Sequence, residues 1–298
     1  RESKCNEFND LQMWLGFCVC RSARTFRGRS LEGTMQIRPS LLAAAAAIVM
    51  SGAAHAGPIL IVNGANGTSE PGTTSSITQN LQDLHILAGN TVTVENDIPA
   101  DLSPFTQVWD IRFSNNFALT ASQQTQYMSY LQSGGGMFLM GENSGFMARN
   151  NSIFDFVSQI GGGILGPGLI GGCDGQQNVN VPFTGPNPVT SIVWACSGVL
   201  GSKGSGDWIT ERADGSGGSG IAWGVGDLAN AQAGALTMIL DVNFMQLNAS
   251  LSEINLTKNL IRFVGDQVEP PNGVPTPGSL ALVSIALMGA LATRRRRA

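Results

Sequence analysis

The sequence predicts an α/β fold: an open, mostly parallel sheet with helices on both faces. Three observations carry this reading. Apolar runs without polar alternation, such as "PILIVNG" at 58–64 and "GGGMFLMG" at 134–141, suit strands buried on both sides. Stretches with apolar residues at three- and four-residue spacing lie between such runs, each with a start or stop signal. Over residues 58–160 the order reads β-α-β-β-α-β-α, which places strands side by side with crossover helices.

The elements follow in order. "PILIVNG" is the first strand. A helix is expected from about Ser75 to Ala88, with Ile77, Leu81, Leu84 and Leu87 on one face and Gly89 as its stop. "TVTVEN" is a second strand and "TQVWDIRF" (106–113) a third. "TASQQTQYMSYLQSGGG" reads as a helix with Thr120 as N-cap and the glycines as terminator. The fourth strand, Met137 to Met140, ends in the turn "GENSG", and a helix follows from about Gly145 to Ile160. Right-handed crossovers narrow these topologies to a flavodoxin-like group.

The second half is richer in glycine. "VNVPF" (179–183) and "TSIVWAC" (190–196) suit an antiparallel excursion, while "GSKGSGDW" and "ADGSGGSG" read as loops. Strands return with "GIAWGVG" (220–226) and "GALTMILDVNF" (234–244). The helix "SLSEINLTKNLIRFVG" (250–265) is expected to pack Leu251, Ile254, Leu260 and Ile261 on the sheet.

The ends differ from this domain. Residues 1–34 hold three of the five cysteines and read as an upstream leader, with Met35 as the expected start. Residues 35–56 combine Arg38, an Ala-rich apolar core and "AHA" before Gly57, the pattern of a secretory signal peptide. Residues 57–268 form the α/β domain, and 269–298 a linker and tail. The tail holds Pro275, Pro277 and Gly278, a short apolar run, and Arg294, Arg295, Arg296 and Arg297, which favour the cytoplasmic side of a membrane.

This tail resembles the PEP-CTERM sorting signal of Gram-negative bacteria, with Thr276 where that family usually has Glu. The resemblance implies signal peptidase and an exosortase-like sorting protease as partners. It also implies transient inner-membrane anchoring and release to the cell surface or an exopolysaccharide matrix, where extracellular polysaccharide is a further expected partner.

Over residues 57–272 the chain keeps six bases against seventeen acids. A surface so acidic excludes the basic patches that nucleic acids require. Only Cys173 and Cys196 remain, which in an exported protein reads as a disulfide; a zinc site would need more ligands than the single remaining histidine, His85, supplies.

Candidate site residues sit where open α/β sheets bind ligands, at the carboxyl ends of strands. They are Asn63, Glu142, Asn143, Asp241 and Asn243, with Asp110 or Asn115 nearby. Such oxygen-rich groups suit sugar hydroxyls, peptide or Ca²⁺, although Asp and Asn are also ordinary turn formers. No cofactor is predicted beyond that optional Ca²⁺.

The order of elements resembles the class I glutamine amidotransferase-like superfamily. The likeness rests on "ILIVNG", the Gly-rich turn before a strand, "GENSG" after it, and the late pair "GALTMILDVNF…NLTKNLIRFVG". Working members of that family carry a nucleophilic Cys at the elbow and a His after a late strand. Here those places hold Asn143 and the Asp241–Asn243 segment, so the resemblance implies an amidotransferase-like domain without its nucleophile. Glu142, Ser144 and Asp241 stand as weak catalytic candidates. The expected function is therefore a non-catalytic, surface- or matrix-associated binding protein; the alternative is an extracellular hydrolase using strand-end carboxylates.

Overall fold

The computed structural model describes residues 57–166 and 172–268, so the leader, signal-peptide and sorting-tail expectations lie outside the described residues. The described residues form a mixed α/β structure on one nine-stranded sheet. Its strands are β1 (Pro58–Val62), β2 (Thr91–Glu95), β3 (Gln107–Asp110), β4 (Gly136–Met140), β5 (Gly172–Val179), β6 (Ser191–Ser197), β7 (Asp207–Glu211), β8 (Gly220–Trp223) and β9 (Ala235–Ile239). The spatial order is β2-β1-β3-β4-β9-β8-β7-β5-β6. The five strands from β2 to β9 run parallel. From β9 onward the pairings are antiparallel. β9 is therefore the seam between two halves.

Four helices cover the sheet: α1 (Pro71–Leu87), α2 (Ala121–Gln132), α3 (Met147–Gln159) and α4 (Leu251–Gln267). The two-residue side-chain period of β1 explains the layering. Ile59 and Ile61 enter the cluster with Ile77, Leu81, Leu256 and Leu260 of α1 and α4. Leu60 and Val62 enter the opposite cluster with Tyr127 and Leu131 of α2 and Ile153 and Phe156 of α3. Burying an aliphatic or aromatic side chain of this size contributes about 1.5–3 kcal/mol. A polar substitution at any of these central positions forfeits that and adds the cost of an unpaired group.

Local chemistry sets the helix ends. Thr120 caps α2 by accepting from the Gln123 N–H, while the Gln123 side chain accepts from the Thr120 N–H. Ser250 and Glu253 repeat this reciprocal arrangement at α4. α1 starts earlier than expected, at Pro71, whose fixed φ and missing N–H suit a first helical position.

Several expectations change. Leu251 is 73% exposed and Leu87 is 72% exposed, so neither packs on the sheet. Both stand at helix ends, where the buried stripe has turned away; Leu256, Leu260, Ile261 and Val264 carry the contact in α4. β7 lies between the two predicted loops and takes in Asp207 and Trp208 of the first, because Ile209 and Thr210 are buried between β5 and β8. β5 begins before "VNVPF", most of which is a turn carrying the buried Phe183. β5 and β6 do form the expected antiparallel pair, and Cys173 and Cys196, directly opposite in register, are joined as a disulfide.

Candidate functional site

The carboxyl ends of β1, β3, β4 and β9 lie side by side, and each leads into a polar segment: Asn63–Gly64, Ser114–Asn116, Glu142–Asn143 and Asp241–Asn243. Short 3-10 turns follow three of these strands, at Asn115–Phe117, Ser144–Phe146 and Asn243–Met245. The candidates predicted from sequence thus share one end of the sheet. What each side chain does there is set by its own bonds.

At the β4 turn, Asn143 caps the 3-10 turn: its Oδ1 accepts the Gly145 N–H at 2.9 Å. Its Nδ2 donates to Glu142 Oε1 at 2.8 Å, and its backbone N–H donates to the same oxygen at 2.9 Å. Glu142 Oε2 accepts the Val242 N–H at 2.9 Å, across the gap to the β9 turn. The parallel ladder has already ended there with Gly141 N–H donating to the Ile239 carbonyl. The Glu142 side chain therefore extends the β4–β9 connection by one further bond.

Asn150 of α3 locks this turn from below. Its Oδ1 accepts the Glu142 N–H, and its Nδ2 donates to the carbonyls of Glu142 and Asn143. Gly141 is required by the same approach: a Cβ would stand 2.5 Å from Leu240 Cδ2 and 2.8 Å from Asn150 Oδ1. The neighbouring Asn115 is tied as well, donating to the Gly145 carbonyl and accepting the Ala148 N–H at the start of α3. Ser144 is exposed at the tip of the turn.

Asp241 holds the position on the β9 side that Glu142 holds on the β4 side, both two residues beyond the last register pair, Met140 and Ile239. Its Oδ1 accepts the Asn243 N–H at 2.7 Å, whereas Oδ2 is buried without a hydrogen-bond partner. Burial pushes the Glu142 carboxyl up to about 7, with the negative charge of Asp241 adding to it and the Asn143 N–H opposing. Burial likewise pushes Asp241 up to about 6, opposed by the N–H groups of Asn243 and Cys196. None of the ion pairs among the described residues involves either acid. Asn243 Oδ1 accepts from the Gln246 amide, and Asn63 bonds within its own loop to the Ala65 N–H and to Thr78.

A second polar cluster lies under the β3 end. Asp110 is fully buried and binds Arg112 in a fork, Oδ1 to Nε at 2.9 Å and Oδ2 to Nη2 at 2.7 Å. Tyr127 donates to the same Oδ2 at 3.0 Å, and Arg149 Nη2 stands 3.1 Å away as an ion pair without hydrogen-bond geometry. Burial alone would raise Asp110; Arg112 and Arg149 outweigh it and hold the carboxyl well below its usual range. Arg149 also donates to the carbonyls of Met140 and Phe117, so it braces both strand ends. Sequence reasoning singled out neither Arg112, Arg149 nor Asn150. The available signal was two arginines and an Asn inside otherwise apolar segments, which in an acidic domain calls for buried partners.

His85 lies elsewhere, fully buried in α1 with Asn90 bonded to Nδ1 and its ring edge-on to Trp109. Burial pushes it down to about 3, so it stays neutral. The site as described holds no thiol and no imidazole. Among the described residues no group of three or more His, Cys, Asp and Glu is placed to hold a metal ion.

No protein-family model matches the chain, and no curated protein matches it. Solved structures similar to it include a putative ThuA-like protein from Bacteroides uniformis, at 14% identity and TM-score 0.47, covering 72% of this chain and 93% of that one. The mmIFT52 N-terminal domain matches at 12% identity and TM-score 0.48, over 67% and 92% of the two chains. An exo-beta-1,4-mannosidase from an Opitutaceae bacterium matches at 10% identity and TM-score 0.46, over 76% of this chain and 38% of that one. Likenesses of this size carry no argument about activity. The expected place in the class I glutamine amidotransferase-like superfamily, within a PEP-CTERM protein, is corrected by these findings. No family model supports either part, the similar structures bear other descriptions, and the sheet continues past its parallel half into four antiparallel strands.

Proposed function

We propose that the domain is an exported binding module whose ligand sits at the carboxyl ends of β1, β3, β4 and β9, and that it does no chemistry there. The single observation carrying this reading is the state of Glu142. Both its oxygens are taken by hydrogen bonds from Asn143 and Val242, and it is only 3% exposed. A general acid or base must reach its substrate; this carboxyl instead ties two backbone turns together. The rim that remains carries amides and hydroxyls, with Ser144, Asn115 and Asn116 exposed, Phe117 and Phe146 partly exposed beside them, and the exposed Glu70 as a nearby charge. Amides beside aromatic edges suit a hydroxyl-rich ligand such as a glycan. The parallel order β2-β1-β3-β4-β9 supports a flavodoxin-like reading of that half, in which such a crevice is the usual ligand position. The disulfide between Cys173 and Cys196 supports an oxidising, extracytoplasmic compartment.

One observation favours the alternative, an extracellular hydrolase. Glu142 and Asp241 stand at equivalent positions beyond adjacent strands, both with raised proton affinity, as the acid of an acid–base pair has. Reducing-end release from neutral oligosaccharides separates the two readings. The binding module yields no product with wild type; product formation that Asp241→Asn abolishes would establish the hydrolase.

A further inference from the structure

We infer that β6 is an interaction edge, at which a second copy of this chain pairs antiparallel and joins two sheets across a two-fold axis. The inference goes beyond the ligand reading and does not depend on it. β6 is the last strand of the sheet, with β5 on one side and no strand on the other among the described residues. Its backbone phase follows from its neighbour. The Val179 N–H donates to the Thr190 carbonyl directly opposite, so Ile192 and Trp194 also turn their backbone groups toward β5. Ser191, Val193 and Ala195 turn theirs outward. No hydrogen bond among the described residues takes up those outward N–H and carbonyl groups.

Sheets whose edges stay in water blunt them with charges, prolines or bulges. β6 reads "SIVWACS", without a charge or a proline, and its partners in β5 follow one unbroken register. The other edge strand, β2, is shorter, ends on Glu95 and is followed by Asp97. From Gly175 to Ser202 the chain has no Asp, Glu, Lys, Arg or His, whereas residues 57–272 carry seventeen acids against six bases. Two copies of so acidic a domain repel over most of their surface; at β6 they approach without opposing charges. A partner recognised by charge finds nothing to pair with there, so this edge selects backbone and apolar complementarity. Self-pairing supplies both. With Val193 opposite Val193 of the second copy, Ser191 meets Ala195, and each outward group gains a partner. Val193, 56% exposed, then packs against its own copy as a β-branched cross-strand pair, while Ile192 and Trp194 stay buried on the inner face. One strand pair buries less than a standard interface, so half-association is expected at roughly 10–100 µM.

Sedimentation of the full chain from about 1 to 300 µM should show monomer passing into dimer. Hydrogen exchange locates the contact. The Val193 and Ala195 amides should be about tenfold better protected at the highest concentration than at the lowest, while the Trp194 amide, bonded within the sheet, is protected at both. Val193→Pro removes one outward N–H and no bond to β5, the placement at which an edge strand accepts proline. It should abolish the dimer and leave thermal unfolding unchanged. If that variant does not fold, Val193→Lys serves, because it sets like charges opposite each other on the two-fold axis. A chain that stays monomeric throughout, or a dimer that survives the substitution, overturns the pairing. So do Val193 and Ala195 amides equally protected at every concentration, which would mean that a segment of the same chain covers the edge.

Discussion

Asn150 and Glu142 are joined in both directions: Asn150 Oδ1 accepts the Glu142 N–H at 3.1 Å, and Asn150 Nδ2 donates to the Glu142 carbonyl at 2.8 Å. One amide on α3 therefore replaces the backbone partners that the β4 turn has left behind. Asn150→Ala strands a buried N–H and buried carbonyls together. It should lower stability by about 2–4 kcal/mol, read as a lower midpoint in urea with an unchanged slope.

Asp110 neutralises one of two buried guanidinium groups, so its removal leaves charge without compensation. Asp110→Asn should cost about 3–5 kcal/mol. Its lowered proton affinity sets a direction with pH: the stabilisation is present above the ordinary carboxyl range and is lost as pH falls through the folded-state value. Wild type should therefore lose stability in acid, below about pH 4, more steeply than the variant does, when unfolding is followed by circular dichroism.

Glu142 and Asp241 act with the opposite sign. Their folded-state values, about 7 and about 6, lie above those of an unfolded chain. Their contribution is complete in acid and is lost as pH rises from about 4 through 7. Between pH 5 and pH 8 the midpoint in urea should fall by an amount equivalent to roughly 4 kcal/mol, and Asp241→Asn should reduce that fall without abolishing it, because burial alone keeps Glu142 raised.

The disulfide between Cys173 and Cys196 closes a loop across 23 positions. Reduction should destabilise the domain by about 3 kcal/mol through the freed unfolded chain. The check is thermal unfolding with and without reductant, compared with the Cys173→Ala, Cys196→Ala double variant, which should match the reduced protein.

Much of this arrangement is legible in the sequence because its causes are local. Thr120 with Gln123, and Ser250 with Glu253, announce helix starts within four residues. The apolar runs that become β1 and β4 announce strands buried on both faces. Strand ends carry Asn63, Glu142 and Asp241 to one edge for the same reason, so the position of the candidate site follows from the order of elements. What stays hidden depends on distant partners. β7 is flanked by glycines and becomes a strand only because β5 and β8 lie on either side. The task of Glu142 could not be read either, since its partner Val242 lies 100 residues on, and the lock by Asn150 requires α3 to dock first.

The central claim is that the strand-end mouth binds a ligand while its carboxyls hold the protein together. Calorimetric titration of wild type and Ser144→Trp with a panel of neutral oligosaccharides tests it most directly, because Ser144 is exposed at the mouth and a bulky side chain there obstructs the crevice without cutting the bonds beneath. The account predicts saturable one-to-one binding by wild type, lost in a variant with unchanged thermal stability. Equal binding by both proteins, or no binding to any member of the panel, would contradict it.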